Sequence, residues 1–339
     1  MQLRVTDSGL PGMADLLAVG PAQAKLHRAG EAERNRQFGR KVFVRAVIEV
    51  SNYCRQNCHY CGMRRDNKGL SRFRLTRDIL RHIILEAVPN SVTDINFQTG
   101  EDPVVVREII IPLIEEVRRE TRYGVSVCLG TLDPKLYEEL RQAGAGYYII
   151  KLETGQADHY RQLEAPGTLE KRLAAIKHLQ QTGWLVSSGF IAGLPGQGPD
   201  QILETLRLLS SLPLAGCSVS PFIPGLDTPL ANCASADIET ALNCVALMRL
   251  ANPERVIPAV SAMNILQDGA YARAIRAGAN LSTINLTPEG SRENYLLYKK
   301  DRFIMGEQRV LGAIEQAGCE PSSISLAAHF EAQSRAVPA

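Results

Sequence analysis

Short apolar runs alternate with amphipathic stretches along most of the 339-residue chain. The apolar runs are rich in valine and isoleucine and have the length of buried strands, whereas the stretches between them repeat with the period of a helix. Eight runs read as strands: 41–50, 93–98, 124–129, 146–153, 184–191, 216–221, 255–260 and 279–286. Helical patterns cover 104–120, 134–144, 168–183, 200–212, 234–251 and 270–279.

Several of these helical patterns end at a glycine, which suits a left-handed cap. Eight alternating units favour the α/β class and a full (β/α)8 TIM barrel, although alternation alone also allows a doubly wound sheet. The predicted organisation is an N-terminal helical segment at the N-terminal side of the barrel over 1–40, the barrel over 41–300, and a C-terminal helix and tail over 301–339. The end of the chain, 331–339, is predicted to be disordered.

Composition narrows the functional classes. The net charge is only +2, from 38 basic and 36 acidic residues, which does not suit a nucleic-acid or membrane-surface protein. Neither a signal peptide nor an apolar run approaching roughly 18 residues is evident, so a cytoplasmic enzyme is expected. Eight cysteines are too few for a disulfide scaffold, and their clustering favours metal binding or catalysis.

Three cysteines, Cys54, Cys58 and Cys61, follow the first strand directly, where barrel enzymes carry their chemistry. Their spacing allows each thiolate to hold one iron of a 4Fe–4S cluster and leaves the fourth iron open, as a catalytic metal requires. The alternatives are a structural zinc site and three unrelated buried thiols. A structural zinc site requires a fourth ligand. His59 would supply that ligand only with strain, because the loop is so short.

The segment IEVSNYCRQNCHYCGMRRDN resembles the cysteine loop of the biotin-synthase-like radical S-adenosylmethionine (SAM) enzymes. Within that group it is most similar to the HydE maturases of FeFe-hydrogenase and next to the methylornithine synthases. The resemblance continues through 97–103, 190–197, 221–232 and 256–263. It implies a full barrel with the cluster and SAM at its top, reductive cleavage of SAM to a 5′-deoxyadenosyl radical, and a small substrate inside.

The resemblance also carries residues that bind the cofactor. It implies that the backbone of Tyr60 meets the adenine and that the turn Gly100, Glu101 and Asp102 receives the SAM amino group. That turn is alternatively a tight turn with no further role.

Two further residues match family positions that contact SAM. Glu153 ends the fourth strand and matches an acid that contacts SAM, while Arg172 matches the arginine that pairs with the SAM carboxylate. Glu153 is otherwise an ion-pair partner at the barrel rim, and Arg172 a solvated residue at a helix start.

The chain differs from the HydE pattern where substrate is expected. Lys151 and Leu152 replace an arginine and a histidine, Ile191 stands in place of a methionine, and the third strand ends in 128–131 instead of a serine and an acid. These changes predict a pocket that is more apolar on one side. The candidate substrate residues are Cys128, Thr131, Lys151, Met263 and Asn285.

The other cysteines have two interpretations. Cys128 and Cys217 fall in strands near the barrel mouth, where either could hold an auxiliary cluster or bind substrate iron or sulfur; free cysteine more often fills the core. Cys233, Cys244 and Cys319 have only the structural interpretation. Trp184 starts a strand and is predicted to be core.

The leading hypothesis is a HydE-like enzyme that acts on a small molecule or small metal complex and takes electrons from a reductase with flavodoxin, or from ferredoxin. The alternatives are a sulfur-inserting synthase of the biotin or lipoate kind, a methylornithine-type mutase, and a non-enzymatic iron–sulfur carrier. Sulfur insertion needs a second cluster, and no further cysteine set has ligand spacing.

Overall fold

The structure is a computed structural model that describes residues 12–298 and 303–336. Seven parallel strands form a curved sheet of half-barrel form in the order β6-β5-β4-β3-β2-β1-β7. A two-residue strand, β8, pairs separately with the start of β1. The bounds are Lys41–Ser51 (β1), Asp94–Thr99 (β2), Gly124–Cys128 (β3), Tyr147–Ile149 (β4), Leu185–Ala192 (β5), Gly216–Pro221 (β6), Leu281–Asn285 (β7) and Glu320–Pro321 (β8).

Helices connect the strands and cover the outer face of the sheet. Two of them precede β1, and two short π-helical segments, Ile83–Ala87 and Val106–Ile110, interrupt the helices that flank β2. The α-helices are Met13–Leu16 (α1), Gly20–Phe38 (α2), Arg77–His82 (α3), Pro103–Val105 (α4), Ile111–Glu120 (α5), Pro134–Ala143 (α6), Ala157–Gln162 (α7), Leu169–Gln181 (α8), Pro199–Ser211 (α9), Ile238–Ala251 (α10), Ala262–Leu266 (α11), Ala270–Arg276 (α12), Glu289–Arg292 (α13), Glu307–Gln316 (α14) and Leu326–Ala336 (α15).

Most predicted strands are present, and β1 and β6 match their predicted bounds closely. The prediction of a strand over 255–260 is wrong, because only single bridges join Val256 to Gly216 and Pro258 to Leu281. Pro258 has no N–H to donate to a neighbouring strand, which prevents a continuous ladder there. The strand predicted over 146–153 is also shorter in the structure.

The chain ends differ from the sequence prediction. Residues 331–336 continue helix α15 and are not disordered, while 337–339 lie outside the described residues. Helix α15 is held because the Asp94 carboxylate accepts a hydrogen bond from the N–H of Leu326 at 3.1 Å, which caps its first turn. His329 on this helix packs against Phe38 and Phe43, at the start of β1.

Aromatic side chains pack at the N-terminal end of β1. Helix α2 lies along α10, and its last residue, Phe38, joins these aromatic contacts. We call the N-terminal ends of the strands the lower end of the sheet and their C-terminal ends the upper end. Among the described residues, no helix combines the length and the apolar character needed to cross a bilayer.

Candidate active site

The loop with the three cysteines leaves β1 at the upper end and is held by buried polar side chains. Asn52 donates to two backbone carbonyls and accepts from one backbone N–H, all at 2.7 Å. Arg72 donates to four backbone carbonyls of the same loop, and Asn67 donates to the Gly62 carbonyl at 2.8 Å. Buried polar groups persist where they are hydrogen-bonded, so these contacts define the path of the loop without engaging any thiol.

The three cysteines are free; Cys58 is buried and the other two are partly buried. The Sγ of Cys54 accepts a hydrogen bond from the N–H of Glu101 at 3.4 Å. Burial raises the pKa of all three thiols, that of Cys61 to about 12. The free thiols therefore stay protonated, and binding of iron would displace their protons.

The turn after β2 approaches the cysteine loop closely. A Cβ on Gly100 would lie 2.2 Å from the Tyr53 carbonyl oxygen, so only glycine allows this approach. Asp102 faces away from the thiols: it receives two hydrogen bonds from Arg74, at 2.7 and 3.0 Å, and one from Ser51 at 2.7 Å. Asp102 therefore supports the turn and does not line the cavity described below.

Glu101 ties the loop after β1 to the loop after β3. Its carboxylate accepts hydrogen bonds from the Thr131 N–H at 2.9 Å, from the Gln56 side chain, and from Arg55 Nε at 3.3 Å. Gly130, at φ 75°, makes room for it, since a Cβ there would lie 2.0 Å from the Glu101 Cγ. This buried carboxylate is thus fully engaged by protein donors.

Glu153 presents the opposite situation. Its φ of 64° is a left-handed conformation, which is unusual for a residue other than glycine. Strained residues of this kind cluster at functional sites. Its Oε2 is buried without a hydrogen-bond partner among the described residues, and the Lys151 Nζ lies 3.4 Å away. Although burial lowers the pKa of Lys151, the neighbouring Glu153 raises it overall, so the amine stays charged. Glu153 Oε2 is therefore ion-paired with Lys151 but accepts no hydrogen bond, so it can still accept one from a ligand.

Arg172 lies near the start of α8 and is buried, which excludes the interpretation of a solvated helix residue. Its Nε donates to the Tyr160 hydroxyl at 3.3 Å, and its Nη2 lies 3.6 Å from Glu101 Oε1. Burial lowers the pKa of Arg172, but Tyr160 and Glu101 raise it overall. A charged guanidinium is therefore fixed at the same end of the sheet as the thiols.

A cavity of ≈ 350 Å³ opens at the upper end and collects most of the predicted residues. Three predicted residues, Asp102, Thr131 and Met263, are not among those that line it; Met263 is fully buried in α11, and Thr131 contributes its backbone to Glu101. The predicted residues that do line the cavity are Cys54, Cys58, Tyr60, Cys61, Gly100, Glu101, Cys128, Lys151, Glu153, Arg172 and Asn285.

The interior carries charged and polar groups that the sequence analysis did not name. Arg45, Glu49 and Gln98 line the cavity beside apolar residues such as Ile191 and Phe222, so the prediction of a pocket more apolar on one side stays a prediction. Leu152, which supported that prediction, lies in the core and does not reach the cavity. A signal was present: Arg45 and Glu49 stand four residues apart in β1, on one face of an otherwise apolar strand.

The remaining cysteines differ in whether they line the cavity or lie in the core. Cys128 lines the cavity, and burial raises the pKa of its thiol to about 11, although Lys151 opposes the shift. Cys217 and Cys244 are fully buried in the core, and Cys217 does not reach the cavity. Trp184 is buried in the core as predicted.

The donor set fits a cubane cluster better than a single metal ion. Within the described residues, no three His, Cys, Asp or Glu side chains are arranged to hold one ion. A cubane binds each cysteine through a different iron, so its thiols need not converge on one point. His59 does not complete a zinc set, because its Nε2 lies 3.4 Å from Glu164. The free acceptor of Glu153 and the charged Arg172 fit a zwitterionic ligand such as SAM.

Comparison with known proteins bears on this site directly. The family profile described as "Radical SAM superfamily" matches residues 48–209. The [FeFe] hydrogenase maturase subunit HydE of Thermotoga maritima is 36% identical over 273 residues, which are 80% of this chain and 78% of that protein. The 3-methylornithine synthase of Methanosarcina barkeri is 26% identical over 82% and 79% of the two chains. A biotin synthase of Acinetobacter baylyi is 30% identical over 68% and 69%.

Solved structures give the same result for the fold. Methylornithine synthase (PylB) superposes with a TM-score of 0.83 at 25% identity, over 95% of this chain and 96% of that one. The maturase HydG superposes with a TM-score of 0.76 at 18% identity, over 94% and 72%, which concerns the fold alone.

The thiol loop, the curved parallel sheet and the matched profile define one class: the chain belongs to the radical SAM superfamily. Its relatives include HydE, 3-methylornithine synthase and biotin synthase, which confirms the predicted biotin-synthase-like group. Members of the superfamily are enzymes that use a 4Fe–4S cluster and SAM, so both cofactors are expected here.

Proposed function

We propose that Cys54, Cys58 and Cys61 each bind one iron of a 4Fe–4S cluster and leave the fourth iron open to SAM. The observation that carries this proposal is that all three side chains line one ≈ 350 Å³ cavity at the upper end, together with Glu153. When bound, the cluster and SAM supply a 5′-deoxyadenosyl radical by reductive cleavage. The chain contributes the pinned loop and walls that keep bulk water from the cavity.

Residues around the thiols have the chemistry to orient SAM. We propose that Arg172 pairs with the SAM carboxylate, since a guanidinium matches that group, and that Glu153 Oε2, which accepts no hydrogen bond from the described residues, accepts one from a SAM donor group. Gly100 and Glu101 would form the turn that receives the amino group, and the Tyr60 backbone would meet the adenine. Asp102 would act at a distance, through its contacts beneath the turn.

The charged interior favours a small, charged substrate. Arg45 and Lys151 supply positive charge, and Glu49 supplies negative charge, around Cys128 and Asn285. Such a lining suits a small anionic molecule or metal complex, and we propose a HydE-like reaction on a substrate of this class. The support is the charge pattern together with the 36% identity to HydE.

A second candidate is a mutase that acts on an amino acid. The favouring observation is that the cavity holds both signs of charge, as a zwitterion requires, in a chain that is 26% identical to 3-methylornithine synthase. Reconstituted enzyme with lysine distinguishes the two: formation of methylornithine supports the mutase. Uncoupled cleavage of SAM that lysine does not change, but a low-molecular-weight iron complex does, supports the HydE-like reaction.

Three finer predictions remain proposals. The segment 255–260, although it is not a continuous strand, would close the sheet into a full barrel between β6 and β7, supported by a hydrogen bond from the Cys217 N–H to the Val256 carbonyl at 3.0 Å and one from the Ala259 N–H to the Leu281 carbonyl at 2.9 Å. The ring would occupy 41–300, between an N-terminal helical segment over 1–40 and a C-terminal segment over 301–339. The reductant would be flavodoxin with its reductase, or ferredoxin, in the cytoplasm.

The experiment that tests the cofactor part is anaerobic reconstitution followed by iron quantitation. About four irons per chain agree with one cluster, and about eight would support sulfur insertion instead. Loss of cluster absorbance in Cys58→Ala, with the helical circular dichroism unchanged, agrees with the ligand assignment. A full cluster in that variant contradicts it.

A further inference from the structure

The outer surface of the cysteine loop concentrates positive charge. Residues 53–74 contain six basic side chains and one acidic one, whereas the whole chain has a net charge of only +2. We call the surface formed by the exposed residues Tyr53, Arg55, Arg65, Lys68 and Arg74 and the half-buried Arg64 the basic face. The exposed Asp66 lies within it.

The positive charge of this face is only partly balanced. Arg74 is paired with buried Asp102 at 2.7 Å, Arg55 with buried Glu101 at 3.3 Å, and Arg65 with its neighbour Asp66 at 3.0 Å. Arg64 and Lys68 have no carboxylate within ion-pair distance among the described residues; each instead donates to a backbone carbonyl at 3.4 Å. Lys68 and the Arg65 side chain, which is 58% exposed, therefore present cationic groups to solvent.

The basic face lies directly over the thiols. The Arg64 N–H donates to the carbonyl of Cys61 at 3.1 Å, and the next residue, Arg65, is exposed. Cys61, a proposed cluster ligand, therefore lies close to the basic face along the chain. Tyr53 immediately precedes Cys54, and its side chain is 39% exposed under the Arg74 guanidinium, which lies 4.2 Å from its ring. Exposed aromatic and arginine side chains are common at the centres of protein interfaces.

We propose that the basic face is the docking surface for an acidic electron-carrier protein that reduces the cluster. This proposal rests on the proposed function, because it requires the cluster to lie beneath the loop. One electron passes from the reduced carrier to the cluster; the carrier is oxidised by one electron and no bond forms or breaks. Charge complementarity of this kind accelerates encounter and is weakened by salt.

The test compares protein and small-molecule reductants in the reconstituted enzyme. Arg65→Glu with Lys68→Glu reverses two exposed charges that do not line the cavity. Arg119→Glu with Lys177→Glu is the matched control, since it changes one exposed arginine and one exposed lysine on α5 and α8. Formation of 5′-deoxyadenosine is measured with a reduced acidic ferredoxin, with dithionite and with reduced methyl viologen, and the affinity of the oxidised ferredoxin for the cluster-free chain is measured by calorimetry and should fall in the double variant alone.

With ferredoxin below saturation, the double variant is expected to be about 10-fold slower than wild type, because steering contributes factors of this size to association. The wild-type rate should also fall as salt rises from about 50 to about 300 mM, as screening requires. Both small reductants, one an anion and one a cation, should drive the double variant at the wild-type rate, and the control pair should match wild type throughout.

An unchanged ferredoxin rate in the double variant overturns the docking proposal, as does an equal loss in the control pair. If charge reversal also slows both small reductants, the milder Arg65→Gln with Lys68→Gln carries the same comparison. A wild-type enzyme that forms no 5′-deoxyadenosine with any reductant contradicts the proposed function instead, so the two failures are distinguishable.

Discussion

Two arginines at opposite ends of the sheet, the fully buried Arg249 and the partly buried Arg45, differ in how completely they are bonded. Arg249, at the lower end, donates to the carbonyls of Gly278, Pro253 and Arg255 and to the Asn280 side chain, at 2.6–2.9 Å. Arg45, in the upper cavity, donates only to Thr283, at 3.1 Å, among the described residues.

Burial lowers the pKa of both guanidinium groups, that of Arg249 to about 10. Burial alone therefore does not separate a structural charge from a ligand-facing one; the number of satisfied donors does. The same contrast appears between the two carboxylates: Glu101 accepts several hydrogen bonds, whereas Glu153 Oε2 is ion-paired with Lys151 but accepts no hydrogen bond from the described residues.

The largest expected effect concerns the stability of variants of these two arginines. Arg249→Met should lower the free energy of unfolding by about 3 kcal/mol or more, because it leaves several buried carbonyls without donors. Arg45→Met should change it by about 1 kcal/mol or less, since it removes a poorly paired buried charge, while turnover of the substrate collapses. Urea unfolding of the two variants measures their free energy of unfolding. Equal destabilisation by the two substitutions would contradict the distinction.

A second prediction concerns Glu153. Glu153→Gln keeps the shape but removes the charge of the free acceptor, so SAM affinity should fall by about 10- to 100-fold, the range of a lost charged hydrogen bond. Equilibrium dialysis with the reconstituted enzyme measures the affinity. Glu170→Gln, on the exposed side of α8, is the control and should bind SAM like wild type. Unchanged affinity in Glu153→Gln would remove this residue from the SAM site.

The smallest expected effect concerns His329 at the lower end. Burial lowers the pKa of its imidazole, and its Nε2 has no hydrogen-bond partner among the described residues. A base whose pKa is lower in the folded state costs stability as pH falls below its unfolded pKa near 6.5, so wild type should lose stability from about pH 7 to about pH 5.

In His329→Phe this acid-dependent loss should be smaller, by less than about 1 kcal/mol, because the group no longer takes up a proton. Urea midpoints measured across this pH range give the slope. Identical slopes in the two proteins would show that His329 does not couple to the fold.

The cysteine loop was the part of the site that the sequence predicted best. The cysteine spacing and its place after an apolar strand are local signals that located the loop, whereas Glu153 and Arg172, which line the same cavity, were predicted from the family resemblance. Asp102 and Met263 could not be placed in this way, because the direction of a side chain after a strand depends on which buried partner it finds.

The interior charges were missed for a different reason. Arg45 and Glu49 lie in an apolar strand, and the prediction rested on its apolar positions and not on the period-two placement of its charges. The segment 255–260 has the composition of a strand, but a single proline breaks its ladder. The helix over 331–336 depends on Asp94, a partner more than two hundred residues away, which no local pattern reveals.

The central claim is that the three thiols and the free acceptor at the upper end form one site for reductive cleavage of SAM. The most direct measurement is the formation of 5′-deoxyadenosine by anaerobically reconstituted enzyme with SAM and dithionite. Wild type should form this product, and Cys58→Ala should form none. An intact, reducible cluster that yields no 5′-deoxyadenosine, or product from Cys58→Ala, would contradict the claim.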